Sequence, residues 1–536
     1  MVYLAGDNNL SSECIYALNE MKKVTGLDRF YLLVQFDPDD ALVPTHRYLI
    51  EGNGDVGTLV TDIIDRASFN PRTGEVHFRH ESPQANWLAI ERLRERTRVS
   101  ESMPASARRA ALGTGPDLTD GSNDDTDTAS PITLYNFLSY GLSKCPADNY
   151  MAVVAGHGAG TQRDFFLKDT TPSGYLTLSE LKRVFEQIKS DRGRPLEILG
   201  MDNCLMSMAE VCYELRGTVD IVVGCEGFSP AAGWPFREVL ERLRDELNNN
   251  GSESVPTRFS KAIVEEYTKY YANGWLGGIS VTQSAMDMSK IKALKLAIDD
   301  LAGTLVEQLH KEAVRESKNG VQASNCPFKD ALVLAHWEAQ SFNGERFVDV
   351  YDFCDCLQKR CSINKVVTKC KRVQRAVTEF IIRSCYSGPI FQYSYGVSVY
   401  FPWSQVVNSY TNLDFVKGSG RGRLHGWGRF LESYTENTRR DPRDLQKDPS
   451  LRKFSRGASV IRRLVRKTSD MKTSDMKTSD MGGNDILSMR NPPVVFVPDD
   501  CGHEISSGAL EAEHVLIISP PRVRQIKAKD AKDYEN

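Results

Sequence analysis

The sequence predicts an α/β fold in which helices cover a mostly parallel central sheet. Short apolar runs rich in β-branched and aromatic residues alternate with segments of helical periodicity. Such alternation is typical of parallel strands joined by helical crossovers. In chain order, the predicted strands are Val2 to Gly6, Tyr31 to Phe36, Tyr150 to Ala155, Leu196 to Met201, Asp220 to Gly224 and Gly278 to Thr282.

Helix signals lie between these strands. Thr177-Leu-Ser-Glu180 has the form of a capping box, and apolar residues at helical spacing follow it. A second apolar stripe, from Leu205 to Leu215, predicts a helix that begins directly behind Cys204. A third stripe, from Ile291 to Leu309, predicts a long amphipathic helix.

The chain of 536 residues exceeds one ordinary domain of about 100 to 200 residues. We expect a main α/β domain over residues 1–250, with a loop or insertion at about 101–130. An α+β region would follow over 251–435, packed on the main domain, and Tyr395 to Phe401 predicts a strand within it. Residues 436–536 carry a basic run and a tandem Lys-Thr-Ser-Asp-Met repeat, which predicts a disordered tail.

Composition limits the classes of partner. The net charge of -4 gives no sign of a nucleic-acid surface, and no apolar run reaches the length of about 18 residues that a membrane span needs. The first residues lack the basic region of a signal peptide, so we expect a cytoplasmic protein or a form without its leader. We expect a monomer.

The twelve cysteines do not form a dense disulfide framework. Cys354, Cys356, Cys361 and Cys370 form the one cluster, and they are either buried thiols or metal ligands. Their spacing matches no common zinc pattern, so we favour buried thiols.

Two residues at strand ends have the chemistry of a catalytic pair. His157 follows a predicted strand between Gly156 and Gly158, where open α/β sheets bind ligands. Cys204 follows the next strand, 47 residues later (204 − 157). A single histidine or buried cysteine is more often structural, but a helix behind Cys204 and a nearby imidazole would lower the thiol pKa.

Five segments in order resemble the clostripain-like family of cysteine peptidases, and the similarity extends over roughly residues 2 to 435. They are Tyr3-Leu-Ala-Gly-Asp-Asn-Asn-Leu10, Gly156-His157-Gly158, Tyr175-Leu-Thr-Leu-Ser-Glu-Leu181, Gly200-Met-Asp-Asn-Cys-Leu-Met-Ser-Met208 and Gly233-Trp-Pro-Phe236. The resemblance implies a caspase-like three-layer sandwich and a His/Cys dyad without an obligatory third member. It also implies peptide or protein substrates.

The resemblance implies an endopeptidase mechanism. Cys204 would attack the scissile carbonyl, and His157 would protonate the leaving amine before water hydrolyses the thioester. The backbone N–H groups of Gly158 and Cys204 are the expected oxyanion donors. The resemblance further implies self-cleavage between the dyad residues, for which Lys168 and Arg163 are the candidate positions.

The resemblance also implies specificity for Arg or Lys, because acidic groups line the substrate pocket in that family and Asp202 matches one of them. A cap on the following helix is the alternative role for Asp202. A second acid is expected just before Gly233, but the chain has Ala232 there. Glu226 is a candidate replacement, unless it is a surface carboxylate, and Trp234 completes the predicted substrate site.

Other interpretations stay open at this stage. Asp7, Asn8 and Asn9 either cap the first helix or reach the rim of the active site, where they would also offer oxygen ligands to a cation. No cofactor is expected, since no calcium-binding loop spacing is present. Two rival functions remain, namely an inactive scaffold that binds peptides, and a metal-dependent hydrolase that uses His157 with Asp202.

Overall fold

The computed structural model describes the following residues of the chain: 1–39, 45–50, 67–70, 75–78, 128–161, 167–170, 173–249, 251–272, 279–319, 327–342, 346–388, 390–403, 406–418, 423–438 and 494–496. The predicted loop at 101–130 lies almost wholly outside these residues. So does the predicted tail, except for 494–496.

The chain divides into two compact units. The first consists of Met1–Tyr267, Ala285–Lys292 and Leu413–Phe415, and the second of Thr268–Ser284, Ala293–Asn412 and Val416–Asn536. The domain boundaries expected from the sequence remain a proposal.

Sixteen strands are present in the described residues. They are β1 Val2–Gly6, β2 Leu32–Pro38, β3 His46–Ile50, β4 Ala67–Asn70, β5 Glu75–Phe78, β6 Met151–Ala155, β7 Leu167–Thr170, β8 Ser173–Leu176, β9 Leu196–Asp202, β10 Val219–Gly224, β11 Val281–Asp287, β12 Ser341–Phe342, β13 Phe347–Asp349, β14 Ile381–Ser387, β15 Ser398–Tyr400 and β16 Val494–Phe496.

Eleven α-helices are present in the same residues. They are α1 Ser11–Lys22, α2 Pro131–Lys144, α3 Leu178–Arg192, α4 Ala209–Glu214, α5 Phe236–Asn248, α6 Val255–Ala272, α7 Ile291–Asn319, α8 Pro327–Glu338, α9 Val350–Arg360, α10 Asn364–Phe380 and α11 Trp427–Asn437.

The first unit is built on a sheet with the strand order β3-β2-β1-β6-β9-β10. β1 pairs in parallel with β2 and β6, β6 with β9, and β9 with β10, whereas β3 is antiparallel to β2. Almost every residue of β1, β2, β6 and β9 is buried, as expected for parallel strands covered on both faces. The predicted α/β fold with a mostly parallel sheet is confirmed.

The crossover between β6 and β9 includes α3, as its sequence signals predict. Thr177 and Glu180 form the reciprocal capping box, and Leu178, Leu181 and Ile188 are buried. Gly193 ends the helix with a φ of 73°, in the left-handed region that glycine favours. The reason for glycine is this backbone conformation and not lack of space, since a Cβ there would meet nothing within 4 Å. The chain thereby returns to the sheet for β9.

β11 differs from its prediction, because the sequence places a strand at 278–282 and the structure places it at Val281–Asp287. Its middle residues, Thr282, Gln283 and Ser284, are polar and yet buried, so the strand has no apolar pattern to mark it. Ser284 compensates for burial by donating from its hydroxyl to the carbonyl of Gly396 at 2.7 Å.

The second unit contains the long helix α7, which begins at Ile291 as predicted, with its apolar stripe buried. It also contains a three-stranded antiparallel sheet in the order β12-β13-β15. The predicted strand at Tyr395 to Phe401 corresponds to β15, whose three residues are buried.

Candidate active site

His157 and Cys204 leave the same edge of the sheet. β6 and β9 are parallel neighbours, and their last residues, Ala155 and Asp202, are paired in register. His157 and Cys204 each lie two residues beyond that pair. Both line one cavity of about 160 Å³. The structure therefore brings together the two residues that the sequence singles out.

The backbone segments that carry His157 and Cys204 are in close contact. A Cβ built on Gly158 would lie 2.6 Å from the carbonyl oxygen of Cys204 and 3.2 Å from its amide nitrogen. The side-chain amide of Asn203 donates to the carbonyl oxygens of Gly156 and His157, at 2.9 and 3.3 Å. Glycine at 158 and asparagine at 203 thus hold the two strand ends together.

The amides of Gly158 and Cys204 are available to a ligand. Neither N–H group has a hydrogen-bond acceptor among the residues that the structure describes. The backbone of Gly158 packs closely against that of Cys204, and Cys204 lines the cavity. The role of the two amides as oxyanion donors stays a prediction.

Cys204 differs from the other cysteines in its exposure. Of the ten cysteines in the described residues, Cys204 is half-buried and the other nine are buried. Its sulfur accepts a hydrogen bond from the amide of Ser229 at 3.3 Å and donates to the Ser229 carbonyl at 3.7 Å. Burial raises the pKa of the Cys204 thiol, the Ser229 amide opposes that rise, and the charge of Asp202 adds to it.

The predicted helix directly behind Cys204 is wrong. α4 begins only at Ala209, and Leu205 has a φ of 64°, in the left-handed region that a helix does not enter. The amides of Leu205 and Ser207 bond instead to the carbonyls of Gly227 and Cys225. The thiol therefore lacks the helix N-terminus that was expected to lower its pKa.

His157 is held by Asn9. The Nε2 atom of His157 lies 2.7 Å from Oδ1 of Asn9. A carboxamide oxygen accepts hydrogen bonds, so this contact favours the tautomer of His157 that carries its proton on Nε2. The expectation that 7–9 caps the first helix is wrong, because the residue that precedes α1 is Leu10 and no side chain caps it.

Asp202 is buried beside the segment that contains Gly233. Its Oδ2 accepts from the amide of Trp234 at 2.9 Å, and a Cβ on Gly233 would lie 2.5 Å from that same oxygen. Burial raises the pKa of Asp202 to about 7, and the Trp234 amide opposes the rise. Asp202 does not cap α4, whose N-cap is Met208 without a side-chain hydrogen bond. Asp202 and Ala232 both line the cavity.

Glu226 and Trp234, the other two predicted substrate-binding residues, do not line the cavity that contains Cys204. Glu226 is buried, so its interpretation as a surface carboxylate is wrong, and it does not line the cavity beside Cys204. The ring of Trp234 is buried, packs over Gly200 and lines a separate cavity of about 470 Å³. The backbone amide of Trp234 bonds to Asp202.

The candidate cleavage positions are described only in part. Lys168 lies in β7, where it pairs with Tyr175 of the antiparallel neighbour β8. Arg163 lies outside the described residues.

Within the described ranges, no helix has both the length and the apolar character to cross a membrane. In the same ranges, no cluster of three or more His, Cys, Asp or Glu side chains is placed to hold a metal.

Several site residues were not predicted from the sequence. Ser229 contacts the sulfur, Leu205 provides the left-handed turn, and Glu13 lines the cavity from α1. The sequence carries no signal for the first two. Glu13 has the ordinary form of an acidic residue in the first turn of a helix, which hides its place in the cavity.

The fold and the site define an α/β protein with a cysteine and a histidine at the C-terminal edge of a parallel sheet. The sequence profile of the Clostripain family matches residues 2–433. The chain belongs to this family, as its sequence motifs predict.

Clostripain from Hathewaya histolytica is 23% identical to the chain over 279 residues, which are 46% of this chain and 51% of that protein. The chain thus matches about half the length of that relative. A secreted C11 cysteine protease from Bacteroides thetaiotaomicron, solved with an irreversible peptide inhibitor, is similar with 16% identity and a TM-score of 0.48, over 77% of this chain and 96% of that one. An inactive zymogen C11 protease from Parabacteroides distasonis is similar with 16% identity and a TM-score of 0.45, over 77% of this chain and 95% of that one.

Proposed function

We propose that this chain is a cysteine endopeptidase that cuts after Arg or Lys, with Cys204 as nucleophile and His157 as its acid and base. One observation carries the proposal. The half-buried Cys204 and His157 line the same cavity at the ends of two paired strands. Family membership supports the same class of chemistry.

The mechanism follows from the protonation of the two residues. The pKa of the Cys204 thiol is raised, so the free enzyme holds it mainly as a thiol at neutral pH. Nδ1 of His157 would take the thiol proton as sulfur attacks the carbonyl carbon, and would give it to the leaving amine. Water, with His157 again as the base, would then cleave the thioester and release the acid.

The negative oxygen that forms during attack would bind at the amides of Gly158 and Cys204. Preorganised donors of this kind typically contribute about 3 to 4 kcal/mol each to transition-state stabilisation. The contact between the two backbones supports this assignment, because it fixes both donors before substrate arrives. No side chain at position 158 would fit there.

Asp202 supports a preference for a basic residue before the scissile bond. It is 8% exposed, and its Oδ1 is buried without a hydrogen-bond partner in the described residues. A guanidinium or ammonium group in the cavity would supply that partner and would favour the ionised carboxylate. Since Ala232 offers no charge, Asp202 would carry this preference with help from other residues.

We also infer self-processing between the dyad residues, at Arg163 or Lys168. Peptidases bind extended, unpaired segments, and Lys168 lies in a paired hairpin strand. Cleavage at Lys168 would therefore require the β7-β8 pairing to open. Mass spectrometry of the wild-type chain and of Cys204→Ala tests this, and cleavage of the Cys204→Ala chain in the absence of other peptidases would overturn it.

A panel of fluorogenic peptides that varies the residue before the cut tests the main proposal. We expect hydrolysis of Arg and Lys peptides, lost by a factor on the order of 10⁴ or more in Cys204→Ala. Cys145→Ala, at a buried cysteine outside the cavity, is the matched control. No hydrolysis by the wild type would favour a peptide-binding scaffold, and full activity of Cys204→Ala would exclude Cys204 as nucleophile.

A further inference from the structure

The cavity beside Cys204 contains a second acidic side chain, Glu13 of α1. Glu13 lies in the first turn of α1, and its neighbours Cys14 and Ala17 line the cavity with it. Asp202 lines the same cavity. Two acidic side chains from distant parts of the chain thus reach one cavity of about 160 Å³.

Both carboxyl groups have an oxygen that needs a donor. Oε2 of Glu13 and Oδ1 of Asp202 are buried and have no hydrogen-bond partner among the described residues. An acidic residue in a first helical turn is usually explained by the helix dipole, which requires no burial. Here an oxygen is removed from water, and an unpaired buried oxygen lowers stability unless a ligand supplies a donor.

The Cys14 thiol lies within electrostatic reach of both acids. Burial raises the pKa of this thiol most, and the charges of Asp202 and then Glu13 raise it further. Glu13, Cys14 and Asp202 also line the same cavity. A cation bound in that cavity would supply hydrogen-bond donors to the unpartnered oxygens of both acids.

We propose that Glu13 is a specificity-determining residue that shares with Asp202 the recognition of a basic side chain before the scissile bond. This inference rests on the proposed function and names a second acid for the same pocket. Ala232 lines the cavity without a charge, where the family resemblance led us to expect an acid. Glu13 supplies the missing carboxylate from α1.

The ligand class follows from size and hydrogen bonding. A cavity of about 150 Å³ holds a benzene ring in another protein, so this cavity accepts one long side chain. A guanidinium group has five N–H donors in a plane and bonds to two carboxylates at once, whereas an ammonium group is a compact point charge. The pair of acids therefore favours Arg over Lys.

Kinetics of Glu13→Gln test the assignment. We expect kcat/KM for Arg peptides to fall about tenfold, mainly through KM, while peptides with a neutral residue at that position are hydrolysed as before. The preference for Arg over Lys should shrink. Glu186→Gln removes an equal charge from an exposed position on α3 and should change nothing. An equal fall for all peptides, or no fall, would overturn the assignment.

A binding experiment separates this inference from the proposed function. Benzamidine binding to the full-length Cys204→Ala chain is measured by calorimetry, with and without Glu13→Gln. We expect the Glu13→Gln chain to bind benzamidine about five- to tenfold more weakly, whether or not the wild type hydrolyses peptides. Equal binding by both chains, or no binding by either, would exclude Glu13 from cation recognition. If the wild type does not hydrolyse peptides but benzamidine binding still depends on Glu13, the result counts against the peptidase proposal and leaves the role of Glu13 in cation recognition intact.

Discussion

The side-chain oxygen of Asn9 lies 2.7 Å from Nε2 of His157, and this contact joins the segment after β1 to the segment after β6. The contact favours the tautomer of His157 with the proton on Nε2 and one orientation of its imidazole. In the proposed mechanism, Nδ1 is the atom that exchanges protons with the thiol and the leaving amine.

Replacement of Asn9 by alanine is expected to lower kcat about 10- to 100-fold with little change in KM, because His157 would lose its fixed orientation and tautomer. Asn9→Asp, which keeps the acceptor, should retain more activity than Asn9→Ala. Steady-state kinetics on one Arg peptide measure both. Asn149→Ala, at an exposed asparagine, is the control, and equal losses in Asn9→Ala and Asn149→Ala would refute the role.

Gly158→Ala is expected to lower activity about 100-fold or more without unfolding the protein. The added methyl group would lie 2.6 Å from the carbonyl oxygen of Cys204 and 2.8 Å from the Asn203 side chain, so the two donor segments must separate. Gly303→Ala is the matched control. Apart from the adjoining backbone of its own helix, no described atom lies within 4 Å of the new methyl group, and helix propensity favours alanine by about 1 kcal/mol. An active Gly158→Ala enzyme would contradict the oxyanion assignment.

Asp202→Asn is expected to stabilise the protein at high pH. The folded-state pKa of Asp202 is about 7, above an unfolded value near 4, so the folded state binds this proton more tightly. Stability is therefore lost as pH rises from about 4 to 7, by up to about 4 kcal/mol, and an asparagine avoids this loss.

Urea denaturation of both proteins at pH 4.5 and pH 8 measures this effect. The free energy of unfolding of Asp202→Asn, relative to wild type, should be higher at pH 8 than at pH 4.5. Asp148→Asn, at an exposed aspartate, should show no such pH-dependent difference. If the stability of Asp202→Asn relative to wild type is the same at both pH values, ionisation of Asp202 does not destabilise the folded protein, and the prediction is wrong.

Iodoacetamide is expected to label Cys204 before the other nine described cysteines, which are buried. Since the pKa of Cys204 is raised above its usual range, the labelling rate should still be rising at pH 9. Peptide mapping against pH gives the rate, and Cys326→Ser/Cys501→Ser removes the two cysteines outside the described residues. A rate that is constant from pH 6 upward would indicate a preformed thiolate-imidazolium pair instead.

Much of the sheet could be predicted because its strands are buried on both faces and leave apolar runs in the sequence. β1, β6 and β9 lie within two residues of their predictions, and this places His157 and Cys204 at one edge. β11 is displaced from its prediction because its buried residues include Thr282, Gln283 and Ser284, whose polar side chains leave no apolar run in the sequence.

The details of the site could not be predicted, since they depend on backbone conformation and on contacts distant in sequence. The apolar stripe after Cys204 reads as a helix, but a left-handed Leu205 diverts the chain. Glu13 and Asn9 lie in and just before α1, where the sequence suggests ordinary helix-start residues. In the folded chain Glu13 lines the cavity and Asn9 contacts His157.

The most direct test of the account is covalent capture by a peptidyl acyloxymethyl ketone that ends in arginine, followed by intact mass and peptide mapping. We predict one adduct per chain, on Cys204, formed much more slowly by an otherwise identical reagent that ends in glutamine. An adduct on any other cysteine, or equal rates for the two reagents, would contradict the account.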